Sequence, residues 1–144
     1  MTSAVGEPAY ADLGFQIPSA FLAERRRQIE SEGWSAQHDD HHADGSLLQA
    51  AMQYYRHALG LPMPTRRRVF TLTRHVLIPL QWPWDDRWWK PKTAHRDLER
   101  AGALCLAEID RLRREDASLP VDVVALVLRD IVLAYRQLPD PVSS

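Results

Sequence analysis

Cysteine is nearly absent: Cys105 is the single one in 144 residues, so no internal disulfide can form and a cysteine zinc cluster is excluded. Such sparing use fits a reducing compartment, and the expected location is the cytoplasm. No apolar run approaches the roughly 18 residues that a membrane span needs. The first ten residues are small, polar and acidic, without the basic start and apolar stretch of a signal peptide. Glycine-rich phosphate loops and a serine nucleophile elbow are also missing. A net charge of -1 argues against a general nucleic-acid coat. Lysine is scarce too, with two against sixteen arginines, a bias that GC-rich codon usage produces as readily as phosphate recognition does.

What is present is an ordinary globular composition, 45% hydrophobic and 26% charged, in a length suited to one domain. Residues 1–18, with Gly6, Pro8, Gly14 and Pro18, read as an arm over the surface. Residues 19–138 read as one helical domain, and 139–144 as a tail. Ser19 is placed to cap a first helix to about Glu32, ended by Gly33. After a polar loop, Leu48, Ala51, Met52, Tyr55 and Leu59 recur at helical spacing in a second helix from Ser46, stopped by Gly60, Pro62 and Pro64. Thr65 to Leu80 fits a short helix or an extended piece, with helix the preferred expectation. Thr93 caps the clearest helix, to about Glu115, whose stripe runs through Leu98, Ala101, Leu104, Cys105, Ile109 and Leu112. Pro120 suits the first turn of a last helix ending near Leu138. The expected fold is all-α, a compact bundle of about four principal helices with a polar His/Asp loop and a Trp-rich loop.

Two loops carry the residue types that chemistry uses. His38, Asp39, Asp40 and His42 offer imidazole and carboxylate to a divalent metal, with Glu108 as a ligand borrowed from another helix. The competing reading is that these loop residues are solvated and cap the second helix. Trp82, Trp84, Trp88 and Trp89 fall within eight residues. Either they plug the open end of the bundle, or one or two form a stacking platform, with Lys90 and Lys92 meeting phosphate. Arg25 to Arg27 fan around a helix and cannot form one patch. Arg66 to Arg68, with Arg74 and His75, form the densest basic segment and the best candidate for an acidic partner. Cys105 lies in an apolar stripe and reads as inert core.

The pattern Glu24-Arg25, Arg27-Gln28, Glu32-Gly33-Trp34, His38-Asp39-Asp40, His42, Gly45, Leu47 and Ala50-Ala51 resembles the first half of a family of small phage and prophage proteins. Trp82-Pro83-Trp84, Trp89-Lys90-Pro91, Arg96-Asp97-Leu98, Ala101-Gly102-Ala103-Leu104, Ala107-Glu108-Ile109 and Arg111-Leu112 resemble the second half. The resemblance implies a genomic setting in which accessory proteins manage nucleotides or disable host defences. It adds Trp34, Trp84, Trp89, Lys90 and Arg96 as candidate ligand-binding residues. The metal set becomes His38, Asp39, Asp40, His42 and Glu108. The paired E-x-x-E and E-x-x-D helices of all-α nucleotide pyrophosphohydrolases are not present. Expected partners are a small phosphate-containing ligand or, alternatively, a host defence protein occluded by a non-enzymatic inhibitor. A homo-oligomer through residues 120–138 is a third possibility.

Overall fold

A computed structural model describes residues 7–32, 45–116 and 118–140. Among them four α-helices run in the order α1 (Ser19–Glu32), α2 (Ser46–Leu59), α3 (Ala94–Arg114) and α4 (Ser118–Gln137). A two-stranded hairpin, β1 (Thr65–Val69) and β2 (His75–Pro79), sits between α2 and α3. A seven-residue 3-10 helix at Glu7–Leu13 and a single 3-10 turn at Asp86–Trp88 are the remaining helical pieces among the described residues. The fold is therefore mainly α-helical rather than purely so.

Helix α3 is the centre, packed by α1, α2 and α4. Its sequence explains this position. Ala101, Gly102, Ala103, Cys105 and Ala107 let neighbours approach on several sides, while Leu98, Leu104, Leu106 and Ile109 fill the space between; all are buried. Thr93 starts the helix as expected, its Oγ1 accepting the Arg96 N–H at 3.2 Å. Gly102 has a particular task, because Phe21 of α1 lies where its side chain would be. The Phe21 ring in turn meets Tyr135 of α4 edge-on at 5.0 Å.

Two expectations need correcting. The N-terminal segment is not simply laid over the surface, because Tyr10 and Ile17 are core residues. Tyr10 is anchored by donating to the Asp110 carboxylate at 3.1–3.2 Å, and Arg113 donates to the Ala9 carbonyl at 2.6 Å. A large ring over a matching acceptor outweighs the loop-like Gly and Pro content around it. Residues 65–80 are not helical but an antiparallel hairpin, with Arg66 opposite Ile78 and Arg68 opposite Val76. Its side chains alternate with period two: Ile78 is fully buried while Leu77 stands 58% exposed. The last helix divides its wide apolar surface, burying Val124, Leu128, Ile131 and Val132 and leaving Val123, Leu126 and Leu133 outside.

Candidate functional site

The Trp-rich segment packs its rings against α2. Trp82 and Trp89 are buried against Tyr54, with ring centroids 5.6 and 4.8 Å from it. Trp84 packs edge-on against Trp82 at 5.4 Å, and Trp88 remains partly exposed. The backbone leaving this cluster is pinned at successive points. Tyr54 Oη donates to the Trp88 carbonyl (3.3 Å) and accepts the Lys90 N–H (3.2 Å). Arg100 donates to the Lys90 carbonyl at 2.8 Å, and buried Asp97 accepts the Lys92 N–H at 2.7 Å. Asp97 also accepts from His57 Nδ1 at 2.7 Å, which ties α2 into the same junction. The two lysines thus project from a backbone that α2 and α3 hold fixed.

Across from them stands the hairpin. Arg66 and Arg68 share its inner face with Val76 and Ile78, and both guanidiniums reach Asp86, Arg68 at 2.9 Å. The Arg66 hydrogen bond, reinforced by Arg68, holds the Asp86 carboxyl below the usual carboxylate range despite its burial. Between hairpin and Trp segment lies a groove of about 380 Å³. Phe70, Val76, Trp89 and Pro91 supply its apolar walls, and Arg74, Arg87, Lys90 and Lys92 surround it. The Arg74 guanidinium lies 4.7 Å from the Phe70 ring, while Arg87 and Lys90 lie 5.4 and 5.3 Å from Trp88. Asp86 is the groove's one carboxylate and is shared between Arg66 and Arg68. Among the described residues Arg74, Lys90 and Lys92 have no carboxylate partner, and Arg87 has a long exposed one, Asp85 at 3.9 Å. A concave, half-apolar space ringed by cations suits an anion that carries a ring. On the other side of Trp89 a second, less charged groove of about 580 Å³ runs between Leu61, Met63, His75 and Leu77.

The sequence candidates separate in space. Trp89 and Lys90 line the basic groove, and Trp84 packs beside the buried rings. Arg96 is held by Glu24 (2.9 Å) and Glu99 (2.6 Å). Burial pushes the Glu24 carboxyl up, but hydrogen bonds from Arg27 and Arg96 outweigh it and keep it below its ordinary value. Glu108 forms a buried two-bond fork with Arg111 at 2.8 and 2.9 Å. Twelve residues of one helix separate Arg96 from Glu108, about 18 Å at the α-helical rise, so they do not share a pocket. Trp34, His38, Asp39, Asp40 and His42 lie outside the described residues. Among the described residues no group of three or more His, Cys, Asp or Glu is placed to hold a metal ion.

Phe70 and Arg87 are the groove residues that sequence reasoning passed over. Phe70 closes the hairpin and Arg87 sits in a 3-10 turn. The available signal was the alternation from Arg66 to Phe70 and from Arg74 to Ile78, which a strand reading would have turned into a shared face. No helix among the described residues is long and apolar enough to cross a membrane. No known protein family, curated protein or solved structure matches the chain.

Proposed function

We propose that the chain is a small phage-type accessory protein that binds a phosphate-containing, nucleotide-like ligand in the basic groove. One observation carries the reading: four cationic side chains surround a 380 Å³ space whose one carboxylate is already shared by two other arginines. Arg74, Arg87, Lys90 and Lys92 would meet phosphate oxygens, and the Phe70 and Trp89 walls would take the ring. The phage setting rests on the sequence resemblance alone. Binding of this kind needs no metal ligand from the protein. A metal-assisted step would draw on His38, Asp39, Asp40 and His42, with Glu108 first released from Arg111. The test is thermal melting with pyrophosphate, nucleoside mono- and triphosphates and unphosphorylated nucleosides, with and without magnesium or manganese. Phosphate-bearing ligands should raise the melting temperature with occupancy and nucleosides should not. Equal shifts for both, or none, would remove the reading.

A second reading, the non-enzymatic inhibitor that occludes a host defence protein, is favoured by a separate observation. All five residues of β1, Thr65 to Val69, are exposed, which leaves the basic strand open to a partner.

A further inference from the structure

The hairpin has an edge that no described residue covers. Its hydrogen-bond phase follows from its two ends, where the Leu80 N–H donates to the Pro64 carbonyl and the Phe70 N–H to the Arg74 carbonyl, both at 2.9 Å. In an antiparallel pair the bonded positions alternate. The register makes 66↔78 and 68↔76 the bonded pairs in between. The N–H and C=O groups of Thr65, Arg67 and Val69 therefore point away from β2, along the outer edge of β1. None of these three residues has a further partner among the described residues. Their side chains share the outer face with those of His75 and Leu77, and Val69 and Leu77 are more than half exposed there.

Charge selects what fits this edge. Arg66 and Arg68 are committed to Asp86 on the inner face, whereas Arg67 on the outer face is in no ion pair with a described residue. A second copy of β1 would place arginine against arginine, which disfavours self-pairing. We infer that the outer edge of β1 takes up an extended acidic segment of a partner protein as a third strand. The partner's backbone pairs with Thr65, Arg67 and Val69, its carboxylate meets Arg67, and its apolar side chains cover Val69. The occupant is thus acidic at the position opposite Arg67 and β-branched or otherwise apolar two residues to either side, where its side chains share the outer face. This inference is independent of the phosphate groove, since it uses the opposite face and the outer edge of the hairpin.

Two substitutions separate backbone pairing from simple charge attraction. Val69→Pro deletes an outward N–H and keeps every arginine, and proline is tolerated where an edge N–H faces solvent. Arg67→Glu reverses the selecting charge and leaves the edge intact. The probes are a seven-residue peptide with glutamate at its centre, valine at positions two and six and threonine elsewhere, the same with lysine for glutamate, and the glutamate peptide with its amides methylated. They are titrated into the full chain and followed by backbone amide NMR. The glutamate peptide should bind at least tenfold more tightly than the lysine and methylated peptides, shifting the Thr65, Arg67 and Val69 amides most. Val69→Pro should weaken it at least tenfold with the β2 amide signals unchanged, and Arg67→Glu should invert the preference toward lysine. Lys92→Ala, in the groove, should leave peptide affinity unchanged. Equal binding of the methylated peptide, or an uninverted preference in Arg67→Glu, would overturn the inference even if Val69→Pro disturbed the hairpin. A single-stranded oligothymidylate that binds wild type and Val69→Pro equally while the peptide does not bind would also overturn it, in favour of nucleic acid.

Discussion

Gly102→Ala sets helix propensity against packing, and the structure decides the winner. In an isolated helix the change is favourable by about 1 kcal/mol, since alanine restricts the unfolded chain and suits the helix. Here the new methyl would lie 2.1, 2.3 and 2.8 Å from three atoms of the Phe21 ring. The ring cannot swing aside, because it is fully buried and Tyr135 stands 5.0 Å from it on the far helix. Overpacking of this kind costs about 1–3 kcal/mol, and contact with the body of a ring rather than a flexible tip belongs at the upper end. The net expectation is destabilisation by about 2 kcal/mol. That corresponds to a fall of roughly 4–8 °C in Tm for a chain of this size. Urea unfolding should show a lower midpoint with an unchanged slope. Phe21→Leu in the same background should relieve part of the clash, giving a coupling of about 1 kcal/mol or more in a double-mutant cycle. A Gly102→Ala protein as stable as wild type or more so, or strictly additive substitutions, would refute the packing account of α3.

Two further outcomes follow from the buried ion pairs. Glu24 has its pKa lowered in the folded chain, so its contribution to stability is present above its ordinary value near 4.5 and is lost as pH falls through the lower folded value. Glu24→Gln should therefore be less stable at neutral pH and show a shallower loss of stability between pH 5 and about 2, measured by urea titration across that range. Glu108→Gln leaves the buried Arg111 guanidinium without the charge of its two-bond partner but still paired with Glu115 at 2.7 Å, at an expected cost of about 1–3 kcal/mol. Removing divalent ions with a chelator should change the stability of wild type and Glu108→Gln equally, whereas a metal role for Glu108 would make wild type alone sensitive.

The helices were legible because their signals are local. Thr93 and Gly60 act at the ends where their side chains or freedom from a Cβ are needed, Gly60 at φ 66°. The hairpin was not legible, because what stabilises it lies far along the chain: Asp86 is 18 and 20 residues beyond its two arginines. Without that partner, three consecutive arginines suit helix and strand alike. The groove was half legible. Trp89, Lys90 and Lys92 stand out in a short polar-aromatic run, but Phe70 and Arg74 join them only when the hairpin folds over that run. Arg96 and Glu108 carried a warning in the sequence itself. Each has an opposite charge three residues on, Glu99 and Arg111, and on a helix that spacing makes them neighbours before any ligand arrives.

The most direct test of the groove is isothermal titration of pyrophosphate and a nucleoside triphosphate into wild type, Arg74→Ala and Lys92→Ala at low and high salt. These exposed side chains carry no core packing, so the variants should keep the wild-type melting temperature. The account predicts 1:1 binding that weakens with salt and falls severalfold or more in each variant. Binding unaltered by both substitutions, or absent in wild type at low salt, would contradict it.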